Sequence, residues 1–213
     1  VRSSLLAGLL LALVGPGVVA LLADFIADST TGLMPRAFTL LLFVSLTVIV
    51  LWMARLQGPG FSRFGFMALR WYSIPGGLAL AAFFIFIYGP AAFAALVALG
   101  LLGFQTGFDS LAGLPTWYLV IVVILVASGE EWLYRAYAIE TLEKMTGRPW
   151  LAGLISLTAF TLVHLPLWGP GPALSIIVSG AIFTGLYLWR RDITLLITAH
   201  VLTDLYGIVL SRA

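Results

Sequence analysis

The sequence predicts an all-α fold: a polytopic bundle of about seven membrane-spanning helices. Two observations carry this. Of the 213 residues, 62% are hydrophobic and only 9% charged, with a mean hydropathy of +1.10; a soluble domain is nearer one quarter charged. Several apolar runs also reach the roughly 20 residues that a bilayer crossing needs, and only helices satisfy their own backbone over runs of that length. The length suits one membrane domain over residues 1–213. The net charge of +2 gives no sign of a nucleic-acid partner. There is no cysteine, hence no disulfide, thiolate metal site or cysteine nucleophile.

Taken in order, the first span is expected over about Leu5 to Ala23. Arg2, Gly15-Pro16 and a following "VVA" resemble a cleavable leader, but the apolar run continues through Ala23, which favours a retained span. The second runs from about Ala37 to Ala54. A basic stretch with Arg55, Arg63 and Arg70 follows, then a long apolar tract from Ile74 to Phe104, interrupted by Gly89-Pro90. The fourth span starts at Trp117 and continues toward Leu142. The last three cover about Leu151–Trp168, Ala173–Trp189 and Ile193–Leu210.

Basic residues orient these spans. If the 74–104 tract crosses once, Arg2, Arg55, Arg63, Arg70, Lys144, Arg148, Arg190 and Arg191 lie on one side, against Arg36 and Arg212 on the other. Such a bias marks the first side, and with it the N-terminus, as cytoplasmic. Two crossings would scatter the charges. The remainder of the tract after Gly89-Pro90 is therefore expected to tilt or lie along the outer interface.

Against this apolar background, ionisable groups inside spans are functional candidates. The fourth span carries Glu130, Glu131 and Arg135 in "SGEEWLYRAY"; the fifth carries His164; the seventh carries His200 and Asp204. The chain has two histidines, and both lie inside spans. Glu131 and Arg135 are four apart, so they share a helix face and pair, which offsets part of their burial cost. Glu130 sits about 100° round the helix and has no basic partner there. It is free to act as a general base. His200 and Asp204 also share a face; their bland reading is a packing pair, and that of His164 a core histidine. Counted along their helices at 1.5 Å per residue, the four groups fall within roughly 10 Å of one another in depth.

A glutamate, two histidines and an aspartate converging at one depth permit three chemistries. One is a bound zinc, although no HExxH is present. Another is a proton or ion relay in a transporter, although inverted repeats are not evident. The third is metal-free hydrolysis, with a carboxylate activating water and other polar groups steadying an oxyanion.

The residues resemble a known family. "EEWLYR" fits the EExxxR motif of the CPBP group, also called ABI, which contains CAAX prenyl endopeptidases and bacteriocin-processing or immunity proteins. "FTLVH" fits its FxxxH motif as Phe160 and His164. "HVLTD" fits its HxxxN or HxxxD motif as His200 and Asp204. The three occur in the family's order, each in its own span, and the resemblance covers about residues 117–210; residues 1–110 match only as generic N-terminal spans.

The resemblance implies an intramembrane glutamic endopeptidase whose catalytic core is residues 117–210. It implies that Glu130 activates water, that His164 assists it, and that His200 and Asp204 stabilise the oxyanion. It gives Glu131 and Arg135 a supporting role; Phe160, one turn before His164, is expected to pack rather than react. Prenyl-protein members usually carry asparagine where Asp204 stands; an ionised aspartate would repel an oxyanion, whereas a protonated one could donate to it. No metal or cofactor is implied.

The expected partners are the lipid bilayer and a membrane-associated protein or peptide, with processing of a sorting signal, a CAAX-like tail or a bacteriocin-type peptide as the candidate reactions. The compact chain points to a bacterial cytoplasmic membrane. The alternatives are a non-catalytic immunity or scaffold protein, a zinc-dependent intramembrane protease, and an ion-coupled transporter.

Overall fold

The computed structural model describes residues 2–29, 32–57, 69–103, 111 and 113–210. Arg63, Phe104 and Arg212 lie outside the described residues. Among the described residues the chain is helical, with α1 (Arg2–Ser29), α2 (Leu33–Leu56), α3 (Ser73–Ala98), α4 (Thr116–Thr146), α5 (Pro149–Trp168), α6 (Pro170–Arg190) and α7 (Ile193–Val209). The first six are long and apolar enough to cross a bilayer, and α7 is a shorter apolar helix. The protein is an all-α, multi-pass membrane bundle.

Sharp reversals separate the last four helices. Gly147 ends α4 at φ 68°, the left-handed conformation a helix stop favours. Pro149 and Pro170 open α5 and α6, where the missing N–H has no partner to lose. Asp192 caps α7, its Oδ1 accepting from the Leu195 N–H at 3.1 Å. Its Oδ2 accepts from Ser73 Oγ at 2.7 Å, which ties the start of α3 to the start of α7.

The expected break at Gly89-Pro90 is not there. α3 runs unbroken from Ser73 to Ala98. A wider π turn over Phe84–Tyr88 lies just before the proline. Such a turn changes the hydrogen-bond register locally, which lets a helix absorb a residue with no N–H. Tyr88 Oη donates to the Ser175 carbonyl at 2.6 Å and anchors this turn to α6. The tract therefore makes one helix of a length suited to one crossing.

The outside of the bundle is apolar. Leu10, Phe25, Met34, Phe86 and Leu162 are exposed, as lipid-facing side chains are. Exposed Trp71, Trp150 and Trp189 lie at or next to helix ends on one side and Trp117 on the other, where aromatic rings sit at a bilayer interface.

The interior is built round α4. Its segment Glu131–Ile139 is π-helical, and all nine residues are buried. α1, α2, α5 and α7 wrap it. Close approach requires small residues: a Cβ on Gly8 would collide with Tyr137 Oη, and one on Gly129 would lie 2.6 Å from the Phe43 ring. Ser156 Oγ of α5 donates to the Tyr134 carbonyl in the widened segment. α1 supplies Leu9 and Ala12 to the core.

Candidate active site

α4, α5 and α7 bring Glu130, His164, His200 and Asp204 to one place. Glu130 ends the regular part of α4, and the π-helical part starts at Glu131. Glu130 Oε1 lies 3.8 Å from His164 Nε2, and its Oε2 lies 3.8 Å from His200 Nε2. These gaps exceed direct hydrogen-bond reach and are the kind that an intervening water closes. His200 Nε2 lies 3.5 Å from Asp204 Oδ2. Glu130, His164 and His200 are nearly buried, and Asp204 is the most open of the four.

The other ring nitrogen of each histidine is occupied. His164 Nδ1 lies 2.6 Å from the Phe160 carbonyl oxygen. A carbonyl only accepts, so Nδ1–H donates, and in the neutral ring Nε2 carries the lone pair toward Glu130. His200 Nδ1 lies 2.8 Å from Glu131 Oε1 and donates to it in the same way.

Glu131 and Arg135 form the expected pair, with Arg135 donating to Glu131 Oε1 at 3.0 Å; both side chains are buried. The pair does more than the sequence suggests. The same Glu131 oxygen that holds Arg135 also holds His200, so the second glutamate orients a histidine on another helix. Arg135 is itself held by rings, its Cζ 4.1 Å from the centre of Phe160 and 5.8 Å from that of Phe183. Phe160 packs as expected, and its backbone carbonyl additionally fixes His164. Phe183, whose ring centre is 5.5 Å from that of His200, had no signal in sequence. It is one phenylalanine in an apolar run.

The site faces a cavity of about 590 Å³ that is walled by six of the seven helices and touched by α3 near its π turn. Glu130, His164, His200 and Asp204 all line it. A water-activating carboxylate, two imidazoles and a further carboxyl, set beside a space that can hold an extended chain, is an arrangement able to hydrolyse an amide.

Residues 112–206 match the sequence model of a family described as type II CAAX prenyl endopeptidase Rce1-like. This part of the chain resembles the Rce1-like family. The match spans all three motifs and thus α4 to α7. The resemblance is to peptide hydrolases, in a chain with six helices long and apolar enough to cross a membrane among the described residues. No curated protein and no solved structure matches the chain.

Proposed function

We propose that this protein is an intramembrane endopeptidase in which Glu130 activates water, acting on a membrane-associated protein or peptide. The observation that carries the reading is the position of the Glu130 carboxylate between two Nε2 atoms, each at 3.8 Å, on rings whose Nδ1 atoms are already committed.

In this mechanism a water sits between Glu130 and the His164 Nε2 lone pair. Glu130 takes one proton as the oxygen attacks the scissile carbonyl carbon. The carbonyl π pair moves onto oxygen. That oxyanion is met by Asp204 in its protonated form and by His200 Nε2–H. Because His200 Nδ1–H is committed to Glu131, donation from Nε2 requires the imidazolium. The C–N bond then breaks, and Glu130 returns its proton to the leaving amine. One water is consumed, and an acid and an amine are released. Glu131, Arg135 and Phe160 hold the reacting groups in place without touching substrate. In a bacterial cytoplasmic membrane, where CAAX prenylation is generally lacking, the substrate is a membrane sorting signal or small peptide rather than a prenylated tail.

The deciding experiment compares wild type with Glu130→Gln at equal expression. Membrane-protein termini are mapped by proteomics in both strains. Termini present with Glu130 and absent with Gln are expected, together with an unchanged melting temperature and a turnover lower by about 10²- to 10⁴-fold. Identical sets of termini would favour a non-catalytic scaffold or immunity role.

A further inference from the structure

Among the described residues, the cavity reaches only one face of the bundle. Helix direction fixes which. α1, α3, α5 and α7 run one way and α2, α4 and α6 the other, so the α1 and α5 C-termini meet the α2, α4 and α6 N-termini at one end. Cavity-lining Ala23, Arg36, Leu114, Tyr118, Trp168 and Ser175 all belong to that end. His164 is only four residues from the end of α5 at Trp168, roughly 6 Å along the axis, but about 22 Å from its start.

The opposite end is locked by polar contacts. Arg191 donates to Glu140 at 2.5 Å and to Glu143 at 2.6 Å. Burial works against its charge, but the hydrogen bonds and charge of these two glutamates outweigh it and hold the Arg191 pKa above the ordinary arginine value. Tyr187 Oη also donates to Glu140. Ser73 closes on Asp192, Arg70 on the Arg190 carbonyl, and Gln57 on Tyr137. Among the described residues, none of this layer lines the cavity.

Charge identifies the two faces. Arg55, Arg70, Lys144, Arg148, Arg190 and Arg191 lie at the locked end, and Arg36 at the open one. Basic residues concentrate on the cytoplasmic side of a membrane protein. We infer that the site takes its substrate from the non-cytoplasmic face, so that the substrate is an exported, membrane-anchored polypeptide cleaved near its outer membrane boundary, and not the tail of a cytosolic protein. The identity of the substrate rests on the protease reading; the side of access rests on the cavity and the charges alone.

The absence of cysteine makes the test clean, since each introduced thiol is unique. Val122 lines the cavity two turns from Glu130, and Lys144 is exposed at the locked end. In intact cells a membrane-impermeant maleimide is expected to label Val122→Cys from outside, while Lys144→Cys reacts only in inverted vesicles. Both should react after denaturation, which confirms that the thiols are present. The inference is overturned if Val122→Cys reacts only in inverted vesicles, if neither side labels it, or if Lys144→Cys reacts from outside. In a second arm, Glu130-dependent termini should fall on exported membrane proteins. Termini on cytosolic proteins would overturn the inference. A complete lack of Glu130-dependent termini would instead sink the protease reading and leave the labelling result standing.

Discussion

His200 Nδ1 donates to Glu131 Oε1 at 2.8 Å, a contact between residues 69 apart in sequence. The same oxygen accepts from Arg135 at 3.0 Å. Glu131 therefore joins two tasks: neutralising a buried guanidinium and aiming a histidine. The tasks separate by mutation. Glu131→Gln leaves Arg135 unpaired in the core and should cost about 3–5 kcal/mol in stability. Glu131→Leu combined with Arg135→Leu removes both charges and should recover much of that loss. Activity should not follow, because His200 has lost the acceptor that fixes its ring, and small misplacement costs about 10²-fold. Thermal unfolding and turnover, measured on the same detergent preparations, decide this. Recovery of both would reduce Glu131 to a structural role.

Asp204 gives the second prediction. It sits 3.5 Å from His200 Nε2 and is partly open to the cavity. If it serves as a hydrogen-bond donor to the oxyanion, an amide can replace it. Asp204→Asn should keep turnover within about tenfold, and Asp204→Ala should lose about 10²- to 10³-fold, the usual cost of one oxyanion donor. An asparagine variant as inactive as the alanine variant would show that an ionisable group is needed at this position.

Much of this arrangement was legible in the sequence because its signals are local. Glu131 and Arg135 are one turn apart on one helix, and burial in an apolar run makes them stand out. The convergence of Glu130, His164, His200 and Asp204 followed from depth counting, since straight spans turn residue number into height. What depth cannot give is azimuth. Nothing in the periodicity of α4 says that Glu131 faces α7, and the π-helical widening that begins there alters the angular spacing an ordinary helix would have. Phe183 was invisible for the same reason. Gly89-Pro90 misleads for another reason: a proline signals a break, whereas a π turn and the Tyr88 anchor to α6 carry the helix through it.

The third prediction concerns metal. Both histidines spend Nδ1 on protein acceptors, and their Nε2 atoms flank a carboxylate at a spacing suited to water. Direct activation of water by Glu130 then needs no cation. Purified protein should retain full turnover after exhaustive chelation, with elemental analysis run in parallel. Stoichiometric zinc whose removal abolishes turnover, and whose return restores it, would replace the general-base mechanism with a metal-bound one.

The fourth prediction tests how the fold places α7, the helix that carries His200 and Asp204. α3 packs along α7, and Gly77 lies on the face of α3 that meets it. A Cβ added there would lie 2.6 Å from Thr198 Cβ and 2.8 Å from the Leu195 carbonyl oxygen. The second of these is backbone and cannot swing aside, so the helices must part. Small residues at such crossings let membrane helices approach closely, and overfilling a packed contact typically costs about 1–3 kcal/mol. Gly77→Ala should therefore lower the melting temperature. It should also lower turnover, because Thr198 lies two residues from His200 and any shift of α7 moves that ring relative to Glu130. Gly185, where an added Cβ meets nothing within 4 Å, is the control: Gly185→Ala should leave both quantities near wild type. If Gly77→Ala matches that control in stability and turnover, the α3–α7 crossing does not set the position of the histidine.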